Sequence, residues 1–238
     1  MSRRFQTTRW SVVLQAGEAE TGEPGEALAE LCEAYWYPVY GFVRSQGYVE
    51  DDARDLTQSY FATLLDKNFL RDLRPELGRF RSFLLVSIRN FLSNQRDRDR
   101  AEKRGGGARP VSLDVEKAER RMAAERSVDP SPDRNFEVRW ALTVVRRSMG
   151  KLEEEFEAAD QGARFAMLRG FLIGDAPTLS YGGIAARLDL SENAVKSMVR
   201  RLRKRFGVVL RAEVVQTIDR REDVDEELRY LLRTLESR

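Results

Sequence analysis

The stretch SYGGIAARLDLSENAVKSMVRRLRKRF, Ser180 to Phe206, decides how this chain folds. Ser180 and Ser191 each stand one position before a helical pattern, where a hydroxyl can accept from first-turn N–H groups that lack an intrahelical partner. They mark two helix starts. Ile184, Ala185, Leu188 and Leu190 supply apolar contacts between them, and Asp189 occupies the turn. The left-handed conformation needed there is cheapest for Gly but open to Asp and Asn, so the turn forms without glycine.

At about 100° per residue, Val195, Val199, Leu202 and Phe206 fall in one narrow stripe that must face a core. Asn193, Lys196, Ser197, Arg200, Arg201 and Lys204 then point the opposite way. From Lys196 to Arg211 there are seven Lys or Arg and no Asp or Glu, whereas a merely solvated helix mixes both signs for mutual pairing. An apolar back with a cationic, hydrogen-bonding front is what a DNA-recognition helix requires. The segment is expected to be a helix-turn-helix.

Composition limits the alternatives. The 238 residues suffice for one large or two small domains, and 41 Lys plus Arg against 39 Asp plus Glu leave a net charge of only +2. DNA binding must therefore come from local segregation of charge. Histidine is absent, which removes the commonest general base and metal ligand at neutral pH; no catalytic residue, cofactor or metal site is assigned. The one cysteine, Cys32, cannot close an internal disulfide, and its apolar helical surroundings suggest a buried structural thiol in a reducing compartment. No run approaches a membrane span, and MSRRFQTTRW lacks a signal peptide's apolar core. A cytoplasmic location without membrane attachment is expected.

Upstream, the periodicity is helical. Leu28, Leu31, Tyr35, Val39, Phe42 and Val43 outline a helix over 26–46 that Pro38 should kink or divide, with Gly47 ending it. VEDDARDLTQSYFATLLDK opens with acids that favour a helix N-terminus and carries Ala53, Leu56, Tyr60, Phe61, Leu64 and Leu65 on one side. After a loop over 68–78, RFRSFLLVSIRNFLSNQRDRDR sets Phe80, Phe83, Leu84, Ile88 and Phe91 among six arginines, a second basic surface.

The pattern dissolves between Gly105 and Pro132, where a triple glycine and three prolines indicate a flexible linker with one short helix near 115–126. The GGG is no phosphate loop, because Ala108, Arg109 and Pro110 stand where a Lys and a hydroxyl would be needed. Periodicity resumes with Phe136, Trp140, Val144, Val145 and Leu152. The expected architecture is all-α: a helical domain over 1–104, a linker over 105–135, a second helical domain with the helix-turn-helix over 136–211, and an acidic amphipathic extension over 212–238. That extension carries Val224, Leu228, Leu231 and Leu235 as an apolar stripe. It is expected either to mask the cationic helix or to pack on the second domain.

DDARDLTQSYF (51–61), FRSFLLVSIRNFLSNQRDR (80–98) and YGGIAARLDLSENAVKSMVRRLRKRF (181–206), in this order and separation, resemble bacterial sigma factors of the extracytoplasmic-function class. These are the dissociable specificity subunits of RNA polymerase. The likeness spans about 27–205. Phe83 stands where the family often has Trp, and Gly182 with Gly183 replace a usual acidic pair. The two glycines remove a capping-box carboxylate and cost up to about 1 kcal/mol each relative to Ala.

The resemblance implies docking of the first domain on core RNA polymerase, the β′ coiled coil taking Asp52, Asp55 and Gln58, with further contacts to the β subunit. It implies that Arg79, Arg81 and Asn90 hold the minus-ten strand of promoter DNA, together with the 68–78 loop. Asn193, Lys196, Ser197, Arg200, Arg201 and Lys204 would read the minus-thirty-five element. Phe80, Phe83, Leu56 and Phe61 are expected in the core. The free chain is expected to be a monomer, with an anti-sigma protein a further candidate partner. A helix-turn-helix regulator that does not join polymerase is the alternative, and a nuclease built on Asp51, Asp52 and Asp55 lacks a basic catalytic partner.

Overall fold

The computed structural model describes residues 25–64, 79–101, 115–124, 131–172, 179–218 and 223–236. The fold is all-α, and among the described residues the sole β feature is an isolated antiparallel bridge between Arg79 and Ile218. In chain order the helices are α1 (Gly25–Ser45), α2 (Glu50–Leu64), α3 (Phe80–Ala101), α4 (Val115–Ala124) and α5 (Pro132–Ala158). There follow α6 (Gly162–Leu168), which a 3₁₀ turn extends over Arg169–Phe171, then α7 (Tyr181–Leu188), α8 (Glu192–Val215) and α9 (Val224–Glu236). The 68–78 loop lies outside the described residues.

Two compact units divide the chain: one takes residues 1–143 with 214–238, the other residues 144–213. The helix α5 contributes to both. This division departs from the boundaries expected at 104, 135 and 211. One reason is the start of α5, where Ser131 Oγ accepts from the Arg134 N–H at 3.5 Å and Pro132 takes the first helical position. Proline is favoured there because its missing N–H has no intrahelical partner to lose; what suggested linker was a helix start.

The first part of α5 packs on α1. Trp140 Nε1 donates to Tyr35 Oη at 2.8 Å, the Phe42 and Phe136 rings meet edge to face with centroids 6.3 Å apart, and Arg139 donates to the Gly41 carbonyl at 3.4 Å. The expected linker also contains α4, which is docked: Glu119 accepts from Tyr40 Oη at 2.5 Å and from Arg44 Nε at 2.9 Å, while the Arg121 guanidinium stands 3.6 Å from the Tyr37 ring centroid. The Arg44 pair and the Tyr40 hydroxyl outweigh the burial that would raise the Glu119 pKa, and its carboxyl lies below the ordinary value.

Pro38 does not divide α1, which runs through it. The lost hydrogen bond is outweighed by the aromatic burial around it, with Tyr35, Tyr40 and Phe42 nearly inaccessible and Trp36 stacked on Tyr40 at 5.0 Å. Gly47, at φ +91, turns the chain after α1, a left-handed conformation that favours glycine. Tyr60 and Leu64 of α2 and Phe80, Leu84 and Ile88 of α3 complete this core, and Phe61 and Phe83 are buried with them as expected. Leu56 is half-buried.

Cys32 is buried, and burial pushes its thiol up from 9.0 to about 12. Near neutral pH almost no thiolate forms, and the thiolate is the reactive species. Iodoacetamide is therefore expected to leave Cys32 unmodified in the native chain and to label it after unfolding, as read by intact mass. Rapid labelling of the folded protein would contradict its place in the core.

In the second unit Leu152, Phe165, Leu168, Ile184, Ala185, Val195, Val199, Leu202 and Val209 form one cluster, with Phe206 packed at its edge. The α8 stripe faces this core as the periodicity required. The acidic extension, by contrast, belongs to the first unit: α9 packs through Val224, Glu227, Leu231 and Thr234, and Phe80 N–H donates to the Thr217 carbonyl at 3.0 Å. Its described packing is thus within the first unit, not the second domain on which packing was expected.

Candidate nucleic-acid interface

Both serine caps are formed. Ser180 Oγ accepts from the Gly183 N–H at 3.1 Å and Ser191 Oγ from the Ala194 N–H at 3.2 Å. Asp189 closes α7 in the left-handed region, φ 53 and ψ 48, with its N–H donating to the Ala185 carbonyl. A Cβ at position 182 would stand 2.9 Å from Glu192 Oε1, the movable tip of an exposed side chain, and one at position 183 would meet only ordinary contacts at 3.5 Å and beyond.

Asn193, Lys196, Ser197, Arg200, Arg201 and Lys204 are all exposed, while Val195, Val199 and Leu202 on the opposite side are buried. Lys196 has a loose i−4 partner in Glu192 at 3.8 Å and lies 5.8 Å from the Tyr181 ring centroid. Among the described residues no acid pairs with Arg200, Arg201 or Lys204. Their charge is available to a ligand.

Two other cations of the run have internal duties. Arg203 donates to the Phe171 carbonyl at 3.0 and 3.1 Å, and Arg205 forms a two-armed pair with Glu155 at 2.6 and 2.8 Å. The hydrogen bond from Arg205 holds the Glu155 carboxyl below its ordinary pKa. Absence of acids within the run therefore overstated its free charge, because the partners come from α5 and the 3₁₀ turn. Arg187 on α7 was not singled out from sequence, yet it is exposed and without an acidic partner among the described residues. A lone arginine beside a turn gives no periodic signal.

The second basic surface is different from the one expected. Arg81 is only 7% exposed, and Arg79 is partly covered. Arg81 donates to both Glu227 oxygens at 2.5 and 3.2 Å, and its guanidinium stacks 3.9 Å from the Tyr230 ring centroid and 5.1 Å from that of Trp140. Arg79 pairs with Glu226 at 2.8 Å and Glu227 at 3.1 Å. Burial acts against the Arg81 charge, but the Glu227 bonds outweigh it and leave its pKa above the ordinary value; Arg79 holds the Glu226 carboxyl below its own. As the structure stands, neither arginine is an open DNA contact. Asn90 is exposed, on a cleft of about 400 Å³ lined also by Tyr60, Phe83, Phe91 and Asn94.

On α2, Asp52 and Asp55 are exposed and Gln58 is half-buried and engaged. Arg54 sits between Asp51 at 3.1 Å and Asp55 at 3.4 Å, and among the described residues no three His, Cys, Asp or Glu side chains converge as metal ligands. Comparison with family models, curated proteins and solved structures finds no match. Function must be argued from these faces. What they offer is one open cationic helix face, one acidic helix face, and a pair of arginines occupied by the chain's own C-terminal helix. No described helix is long and apolar enough to cross a membrane.

Proposed function

We propose that this chain is a sigma factor of the extracytoplasmic-function class, a subunit that brings core RNA polymerase to promoters and assists strand opening. The observation that carries the reading is the α8 face. Six side chains able to donate hydrogen bonds stand exposed on the helix after a capped turn, and Arg200, Arg201 and Lys204 are unpaired among the described residues. A helix so mounted can enter a major groove, where an Arg reads guanine through two hydrogen bonds and a Lys anchors phosphate. In this reading Asn193, Lys196 and Ser197, exposed and nearest the N-terminus of α8, are the residues that touch base edges.

The sequence likeness of the α2 acids to the polymerase-binding helix takes the reading beyond a generic DNA binder. Nothing is consumed in the activity: it rests on docking and differential binding of open DNA, in the cytoplasm where core polymerase works. Asp55→Arg combined with Gln58→Ala is expected to abolish co-elution with core polymerase while changing helical content little, since charge reversal at an interface penalises association more than an exposed helix position. Retained co-elution at wild-type affinity would remove the docking face. Mixing the purified chain with core polymerase and a promoter library, then sequencing transcript starts, tests the whole assignment. DNA binding without any gain in polymerase specificity would favour a helix-turn-helix regulator instead.

A further inference from the structure

We propose that the C-terminal helix α9 stands in for DNA on α3, its Glu226 and Glu227 carboxylates filling a phosphate site made by Arg79 and Arg81, so that single-stranded promoter DNA must displace it. This rests on the sigma-factor reading for its biological setting. The chemistry rests on the contacts. Glu227 is fully buried and joins both arginines, while Glu226 engages Arg79 from the more exposed edge.

A buried ion pair is a poor source of net stability, because desolvation offsets most of the attraction. Trading one anion for another at this pair therefore costs little so long as the arginines stay paired. Carboxylate and phosphate oxygens present similar acceptor pairs to a guanidinium fork, so phosphate can take the place of the α9 carboxylates on Arg79 and Arg81, while Glu137 of α5, 3.5 Å from Arg81, stays beside it. Tyr230 is carried away with the helix, whereas Trp140 comes from α5 and keeps one aromatic face for Arg81. Once detached, α9 has only 13 residues, a length at which isolated helices are marginal in water. Release and unfolding of the segment should therefore coincide.

Hydrogen exchange on the whole chain tests this with an oligothymidylate as the probe. Saturating oligonucleotide is expected to accelerate exchange of the Val224–Glu236 amides by about tenfold or more, as local opening becomes favourable. A second measurement uses the full-length Glu226→Gln, Glu227→Gln variant. It is expected to bind oligothymidylate more tightly at every salt concentration, with a slope of log affinity against log salt close to that of the wild-type chain, since both complexes put the same phosphates on Arg79 and Arg81. Adding Arg79→Gln and Arg81→Gln should remove that gain in affinity.

Unchanged protection of α9 under saturating oligonucleotide overturns the proposal. Release by core polymerase alone, with no DNA present, also overturns it, since the displacing partner would then be a protein. If the glutamine variant fails to fold, exchange in the whole chain decides alone. A chain that joins core polymerase and opens promoters while α9 stays protected refutes displacement and keeps the sigma reading. Failure to bind core polymerase refutes the reading whatever α9 does.

Discussion

Alanine at both Arg200 and Arg201 is expected to collapse promoter binding while leaving the second unit folded. Both side chains are exposed and neither belongs to the buried cluster, so the fold loses little packing. An arginine that reads a base contributes about 1–3 kcal/mol and its loss relaxes specificity at one position, whereas a phosphate contact weakens all sequences alike and lowers the salt slope by about 0.9. Single variants measured on matched and mismatched promoter fragments separate the two roles. Arg203→Ala is the control: its guanidinium is held by the Phe171 carbonyl, so its effect should fall on stability. Unchanged promoter binding by the double variant at matched salt would remove α8 as the recognition helix.

Trp140→Ala is expected to destabilise the first unit by about 3–5 kcal/mol, the range for emptying a buried aromatic site. The indole is 1% exposed, donates to Tyr35 Oη and provides one face for Arg81. Its removal leaves a cavity and strips the Tyr35 hydroxyl of its donor. Trp140→Phe keeps most of the apolar area and should cost less, near the 1–3 kcal/mol of an unsatisfied buried polar group. Urea unfolding followed by hydrogen exchange reads the location as well as the size. Amides of α1 and α3 should lose protection before those of α7. The opposite order would return Trp140 to the second unit, where the expected boundary at 136 had put it.

Much of this molecule was legible in sequence because its determinants are local. Ser180 and Ser191 cap the helices that follow them because a hydroxyl reaches an N–H only three residues on, and Asp189 adopts the left-handed turn because its own backbone permits it. The period of 3.6 alone assigned Val195, Val199 and Leu202 to the core and the six polar residues of α8 to the surface. All-α architecture follows from the same periodicity.

What sequence could not supply is partnership between distant segments. Arg79 and Arg81 look like free cations until Glu226 and Glu227 arrive from the far end of the chain, and Arg205 does until Glu155 does. The 115–124 segment looks like linker until Glu119 meets Tyr40 and Arg44. Local composition fixes the shape a segment prefers and the face it must bury. Which opposite charge or ring covers that face depends on chain folding between remote positions, and only the tertiary structure decides it.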